Sequence, residues 1–298
     1  MLHMHDAIVV GGSYAGLAAA LQLARARRRV AIVDAGQRRN RFAAHAHGFL
    51  TQDGVDPAVI AATARDQVLA YPTVTWHQGE VAAATGAFDG FRVEVGTGGI
   101  LEGRRLILAI GVRDELPAIE GLAERWGRSV FHCPYCHGYE VAGPIGVLAA
   151  SPMSIHHAQM LPDWGPTTYF LNGGPMPSEG EVADLARRGA AIEPVAIRRL
   201  VGPAADIELA DGRIVPVSGL FTATRTAPSS PIAEALGCAM AVALNGSHIE
   251  TDAMKQTTVR GVFACGDAAR PFGSVALAVG DGTMTGASTH RSLLFPDG

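Results

Sequence analysis

Ala7-Ile8-Val9-Val10-Gly11-Gly12-Ser13-Tyr14-Ala15-Gly16 decides the class of fold. Ala7 to Val10 is a short apolar run with three β-branched residues, the texture of a strand buried on both faces. Gly11, Gly12 and Ser13 interrupt it. Leu17 to Arg28 is then rich in Ala, Leu and Arg, all good helix formers. Val30 to Val33 is a second apolar strand, closed by Asp34. Strand, turn, helix and strand make a βαβ unit, whose crossover is right-handed. The turn approximates the dinucleotide fingerprint G-x-G-x-x-G. Gly11 permits the tight turn out of the strand, and Gly16 permits close helix–strand packing. Ser13 stands where the middle glycine is usual, and its side chain crowds a pyrophosphate unless it turns away or donates a hydrogen bond. The open N–H groups and dipole at the helix start favour phosphate. Asp34 stands where a carboxylate bonds adenosine ribose hydroxyls and repels a 2′-phosphate. Gly11, Gly12, Ser13, Tyr14, Ala15, Gly16 and Asp34 are therefore candidate nucleotide-binding residues.

Beyond this unit, Asp56-Pro57 reads as a helix start, with the helix running to about Leu69. Val74 to His77, Glu80 to Ala84, Phe91 to Val95 and Leu106 to Ile110 read as strands. The run DELPAIEG, Asp114 to Gly121, changes texture and marks a domain crossing. A second α/β unit follows, with strands at Ile145 to Ala149, Thr167 to Leu171 and Phe221 to Thr224, and a helix at Ser154 to Leu161. The chain returns near Asn245 to a strand at Val262 to Ala264 and a final helix at Val275 to His290. We therefore expect a discontinuous nucleotide-binding domain, 1–113 and 244–298, with an inserted domain at 114–243.

Apolar residues make up 48% of the 298 and charged residues 17%, which excludes a disordered chain. The net charge of −4 leaves no basic stripe beyond Arg25, Arg27, Arg28 and Arg29, a cluster that suits a helix C-terminus rather than nucleic acid. No 18-residue apolar run or signal-peptide pattern is present, so no membrane partner is expected. Four cysteines in a chain of this length do not make a secreted disulfide framework, and a cytoplasmic location is expected.

Cys133-Pro134-Tyr135-Cys136-His137 carries the redox signal. A C-x-x-C pair closes a small disulfide, and one thiol commonly has a depressed pKa. Three other readings compete. C-x-x-C-H attaches c-type haem, but that chemistry follows export. A zinc site needs two more ligands, whereas Cys238 and Cys265 are distant and unpaired, so no metal is expected. A thioredoxin-like domain places the motif just after its first strand; here a complete nucleotide half-site precedes it. Near the C-terminus, Gly261-Val262-Phe263-Ala264-Cys265-Gly266-Asp267 is a strand ending in Gly-Asp, followed by Val279-Gly280-Asp281-Gly282 and a helix.

Taken in order, the glycine turn, LILAIGVRDELPAIEG, C-x-x-C, the second α/β unit and GVFACGDAA resemble the low-molecular-weight thioredoxin reductases along nearly the whole chain. The resemblance implies an α/β, two-dinucleotide-binding-domain flavoprotein fold. A Rossmann-like FAD domain would carry an inserted, smaller, degenerate NAD(P)-type domain with the C-x-x-C. It further implies that Gly266 and Asp267 meet the ribityl chain of FAD, and that the backbone at Val275 and Ala276 turns a helix N-terminus toward the flavin. Cys136 becomes the flavin-facing thiolate and Cys133 the sulfur that exchanges with substrate. His137 stands where the family commonly has an acid–base Asp, and its unperturbed pKa of about 6.5 suits proton transfer. The family places the loop Arg41 to Phe49 near the flavin; we read its His45 and His47 as solvent-facing. Members of the family are usually homodimers.

The second nucleotide turn departs from the family. Ala150 to Ser154 contains no glycine, and Pro152 removes a backbone donor. Tyr169-Phe170-Leu171 leads into Asn172-Gly173-Gly174 with no basic cluster for a 2′-phosphate; Arg187-Arg188 lies further on. NADPH is expected to bind poorly or not at all. The run Cys133 to Gly138 also resembles the gliotoxin- and holomycin-type dithiol oxidases, which close a disulfide in a small natural product and pass electrons through FAD to oxygen. The sequence is thus read as an FAD-dependent thiol–disulfide oxidoreductase acting on a small-molecule dithiol or disulfide or on a thioredoxin-like protein. An external electron donor or oxygen would stand at the other end. A small-molecule dithiol oxidase and a non-catalytic FAD redox sensor stay open as alternatives.

Overall fold

The computed structural model describes residues 4–96 and 98–296. The chain runs β1 (His5–Val10), α1 (Tyr14–Arg25), β2 (Val30–Asp34), α2 (Pro57–Leu69), β3 (Val74–Gln78), β4 (Val81–Ala87), β5 (Gly90–Val95), β6 (Ile100–Leu108) and β7 (Val112–Glu115). There follow β8 (Val130–Phe131), α3 (Pro134–His137), β9 (Ile145–Leu148), α4 (Ser154–Met160), β10 (Thr167–Phe170), α5 (Glu179–Arg188) and β11 (Ala191–Glu193). The rest comprises β12 (Ile197–Val201), β13 (Asp206–Leu209), β14 (Ile214–Val215), β15 (Gly219–Thr222), β16 (Arg225–Pro228), α6 (Ile232–Ala235), β17 (Met240–Ala243), β18 (Gly246–Ile249), β19 (Val262–Ala264) and α7 (Val275–Leu294).

Contacts divide the chain into two units: residues 1–41, 49–113 and 227–298, and residues 42–48 and 114–226. Two features differ from the spans expected above. The return falls at Ala227 rather than at 244, and Phe42–Gly48 groups with the second unit. The ends of the expected spans, Met1–His3 and Asp297–Gly298, lie outside the described residues.

In the first unit β1 pairs in parallel with β2 and β6, so that Val9 lies beside both Ile32 and Ile107. The parallel order is β3-β2-β1-β6-β19, and β4 and β5 continue antiparallel from the start of β6. This is a doubly wound sheet whose strand order reverses beside β1, where such folds open a crevice at the strand C-termini. Ile8, Val9, Ile32, Leu106, Ile107 and Leu108 are fully buried, as continuous apolar parallel strands require. One charge lies among them. Arg105 is completely buried; its guanidinium donates to Asp89 Oδ1 at 2.6 Å, Ser292 Oγ at 2.8 Å and the Ser292 carbonyl at 2.7 Å. Leaving that cation unpaired would be costly, so the end of α7 is a required partner of β6.

Val279-Gly280-Asp281-Gly282 lies inside α7, which covers the helix expected at Val275 to His290. A Cβ on Gly282 would lie 2.1 Å from the Ala15 carbonyl oxygen. That glycine lets α7 approach α1 closely; it does not break the helix. α1 itself starts at Tyr14, earlier than expected, and stops at Arg25 because Arg27 takes a left-handed φ of 59°.

The second unit holds an all-parallel sheet, β11-β10-β9-β15-β8, with the same reversal beside its first long strand. A separate antiparallel sheet, β12-β13-β14, completes it. Neither that sheet nor α5 was anticipated. α5 nevertheless carries a capping box, Ser178 with Glu181, and closes on Gly189 in the left-handed region. Among the described residues, no helix is long and apolar enough to cross a membrane.

Candidate active site

The turn between β1 and α1 has the geometry its glycines demand. Gly11 has φ 103°, and a Cβ there would lie 2.2 Å from the Ala109 carbonyl oxygen. A Cβ on Gly16 would lie 1.8 Å from the Gly11 carbonyl oxygen. Ser13 N-caps α1 but makes no side-chain cap bond, so its hydroxyl leaves the helix start open. The first intrahelical bond runs from Leu17 N–H to the Ser13 carbonyl. The N–H groups of Tyr14, Ala15 and Gly16 are thus available to an anion. Asp34 closes the cradle: it accepts from Gly12 N–H at 2.9 Å and Gly36 N–H at 3.0 Å, and each oxygen keeps acceptor capacity for a hydroxyl.

Residues that sequence reasoning passed over complete this end. The Arg39 guanidinium lies 3.0 Å from Asp267 Oδ2. Asn40 donates to the Tyr14 hydroxyl at 3.2 Å, which donates to the Pro57 carbonyl at 3.0 Å. Asn40 Oδ1 and Arg38 Nε are buried with no hydrogen-bond partner. The only signal was the polar run Arg38-Arg39-Asn40-Arg41 just past Asp34. Gly266 and Asp267 form the turn after β19, and a Cβ on Gly273 would fall 2.0 Å from Asp267 Oδ1. Ser274 caps α7 through Leu277 N–H, leaving Val275 and Ala276 at the open first turn. Uncapped N–H groups, an orphaned buried amide oxygen and a carboxylate beside a glycine fit a dinucleotide with a polyhydroxyl linker.

In the second unit Cys133 and Cys136 form a disulfide, with Cα atoms 5.3 Å apart. Cys133 N-caps α3, Pro134 supplies its first helical position, and Cys136 N–H donates to the Cys133 carbonyl at 3.2 Å. Both cysteines are half-buried, and Tyr135 and Tyr139 in the same stretch are exposed. Tyr135 meets Trp164 edge-on at 5.6 Å. The His137 ring stacks on Phe131 at 4.3 Å. Burial, helped by the nearby His47, pushes the His137 pKa down from 6.5 to about 4, so its imidazole is neutral near pH 7. The remaining cysteines are not reactive candidates: Cys238 and Cys265 are buried, and burial pushes the Cys265 thiol up to about 12. Among the described residues, no group of His, Cys, Asp and Glu is arranged to hold a metal.

The turn after β9 is closed by its own side chains. Ser154 Oγ accepts from Ala150 N–H at 3.0 Å and from Ser151 N–H at 3.1 Å, and Ser151 Oγ accepts from Met153 N–H at 3.3 Å. These are the donors a phosphate would take. Ser154 is itself fully buried. The crevice beyond, lined by Leu148, Ala149, Ala150, Asn172, Ala223 and Thr224 among others, is about 240 Å³. That is below the roughly 300–1,000 Å³ usual for small-molecule pockets.

A doubly wound nucleotide unit joined to a second α/β unit bearing a C-x-x-C disulfide defines the class of nucleotide-dependent disulfide reductases and their kin. Comparison with known proteins specifies it. The chain belongs to the pyridine nucleotide-disulphide oxidoreductase family, whose description matches residues 5–157 and 187–282. It is 31% identical to thioredoxin reductase sirT of Leptosphaeria maculans over 98% of this chain and 95% of that one. Among solved structures it is similar to an oxidoreductase from Agrobacterium tumefaciens, at 58% identity and a TM-score of 0.96 over 99% of this chain and 100% of that one. It is also similar to HlmI, at 37% identity and a TM-score of 0.91 over 100% of this chain and 95% of that one. The two-domain α/β flavoprotein fold and the assignment as an FAD-dependent, thioredoxin reductase-like thiol–disulfide oxidoreductase stand on these likenesses and on the cysteine pair.

Proposed function

We propose that this chain moves two electrons between FAD and the Cys133–Cys136 pair, and between that pair and a dithiol or disulfide substrate, without NADPH as a partner. The Ser154 hydroxyl carries the last clause. A phosphate would have to displace it from Ala150 and Ser151 N–H. Bonds of this kind to a charged group are each worth about 1.5–3 kcal/mol. Forfeiting two weakens binding by about 3–6 kcal/mol, or roughly two to four powers of ten.

In this reading Gly11, Gly12, Ser13, Tyr14, Ala15 and Gly16 hold the pyrophosphate of FAD. Asp34 holds the adenosine ribose, Gly266 and Asp267 the ribityl chain, and the first-turn backbone at Val275 and Ala276 the flavin ring. When bound, FAD supplies the two-electron acceptor or donor. Cys133 exchanges with the substrate sulfur, Cys136 faces the flavin, and neutral His137 takes or returns the thiol proton. Half-buried cysteines in one stretch with exposed Tyr135 and Tyr139 suit an apolar small-molecule dithiol or disulfide, with a thioredoxin-like protein as the other candidate. The working form is proposed to be a homodimer, for which exposed Leu277, Met284 and Leu294 on α7 offer apolar surface. The cytoplasm is the proposed compartment, since a cycling cysteine pair works where thiols persist.

Anaerobic titration of the FAD-loaded protein with dithiothreitol, NADH and NADPH tests this. Dithiothreitol is expected to bleach the flavin and both nicotinamides to leave it oxidised. Rapid bleaching by NADPH would refute the proposal. Admitting air to the reduced protein then separates oxygen from an external donor as the second partner.

A further inference from the structure

Phe42–Gly48 leaves the first unit to pack with the second, the one that carries the disulfide. It brings His45 and His47, whose ring centres are 6.2 Å apart. The His47 side chain is 18% exposed, and its Nδ1 lies 3.4 Å from Oε1 of Glu140. Glu140 is tied to the same turn as His137, because its N–H donates to the His137 carbonyl at 3.2 Å. His137 adjoins Cys136 in the chain, and Phe131 fixes the plane of its ring. Glu140, 41% exposed, thus pairs with His47, and His47 lies near enough to His137, the residue beside the disulfide, to help lower its pKa. His45 shares the segment, and His132 lies against Trp126. None of these polar groups serves the apolar cores of the second unit.

Exchange at the disulfide needs a path for protons. Consider a dithiol substrate. One thiol gives its proton to His137, and the thiolate attacks Cys133 Sγ. The Cys133–Cys136 bond breaks, a substrate–Cys133 disulfide forms, and Cys136 leaves as thiolate. The second substrate thiol then attacks the substrate sulfur of the mixed disulfide, and its proton passes to the departing Cys133. The substrate ends as a disulfide, two electrons have moved to the cysteine pair, and one proton remains in excess. A half-buried imidazole disfavours its charged form and must pass that proton on. Reduction of a disulfide substrate runs the same path inward.

We infer that His47, held by Glu140, is a positioning residue that passes protons between His137 and solvent during thiol–disulfide exchange. The inference rests on the thiol–disulfide reading and deepens it. Stopped-flow mixing of the FAD-loaded protein with dithiothreitol, across pH, measures exchange for the wild type, His47→Gln, His47→Ala and Glu140→Gln. His47→Gln is expected to slow exchange about tenfold or more near neutrality and to change the shape of the pH profile, with flavin content and melting temperature unaltered. Glu140→Gln gives a smaller effect of the same sign. Added imidazole restores the rate of His47→Ala. Wild-type rates and profiles in both His47 variants would overturn the inference. So would a slow His47→Ala that imidazole does not rescue and whose profile parallels the wild type. If dithiothreitol reduces neither disulfide nor flavin in the wild type, the thiol–disulfide reading itself fails and takes this inference with it.

Discussion

Replacing Ser154 with alanine is the most direct trial of the closed second turn. The hydroxyl serves two backbone donors, Ala150 N–H and Ser151 N–H, and is itself fully buried. A buried donor left unsatisfied costs about 1–3 kcal/mol. Ala150 is exposed, so water takes over part of the role, and the whole loss should be about 1–3 kcal/mol rather than twice that. At about 2–4 °C per kcal/mol for chains of comparable size, the variant should melt about 2–12 °C lower. The freed donors also become available to a phosphate, and two charge-assisted bonds at the weak end are worth about 3 kcal/mol, or roughly a hundredfold in affinity. Ser154→Ala should therefore be less stable than the wild type yet bind NADPH more tightly. The assay is a melting curve of the FAD-loaded protein with and without NADPH, paired with calorimetric titration. A variant that melts with the wild type and binds NADPH no better would refute the account of this turn. Micromolar NADPH binding by the wild type would do the same.

Three further outcomes follow. Cys136→Ser should keep FAD but abolish flavin bleaching by dithiothreitol, with absorbance reading both; retained bleaching would reassign the flavin-facing sulfur. After mild reduction of the native protein, iodoacetamide should label Cys133 and Cys136 and spare Cys238 and Cys265, as peptide mass spectrometry can check, because burial raises both of the latter thiols. Stability should fall as pH drops from 6.5 toward about 4: His137 and His157 are both held near 4 in the fold by burial, so over that window the unfolded chain binds more protons. Melting curves across that range, compared with His157→Gln, measure the contribution.

The first nucleotide unit was legible because its signals are local. Gly11, Gly16 and Asp34 lie within one βαβ stretch; the two glycines make the close backbone approaches expected of them, and Asp34 ties the turn through Gly12 N–H. The disulfide was legible for the same reason, its partners being three residues apart. Hidden features depend on distant pairings. Arg39 meets Asp267 across 228 positions, and nothing in the alternation around either residue announces it. His47 was read as solvent-facing because its segment follows the ribose strand; packing against the second unit decided otherwise. The final helix was legible from Val275 to His290, but not that Gly282 within it admits α1 at close range, which only the packed partner reveals. The missed α5 was avoidable, since Ser178 and Glu181 have the spacing of a capping box.

Burying Arg105 under the end of α7 makes that helix a lever anchored at its tail. Its other end presents the open turn at Val275 and Ala276. Trimming the chain back past Ser292 would strand a cation in an oily strand and unseat the far tip as well, so a carboxypeptidase nibbling at the C-terminus should release yellow colour long before it reaches Val275.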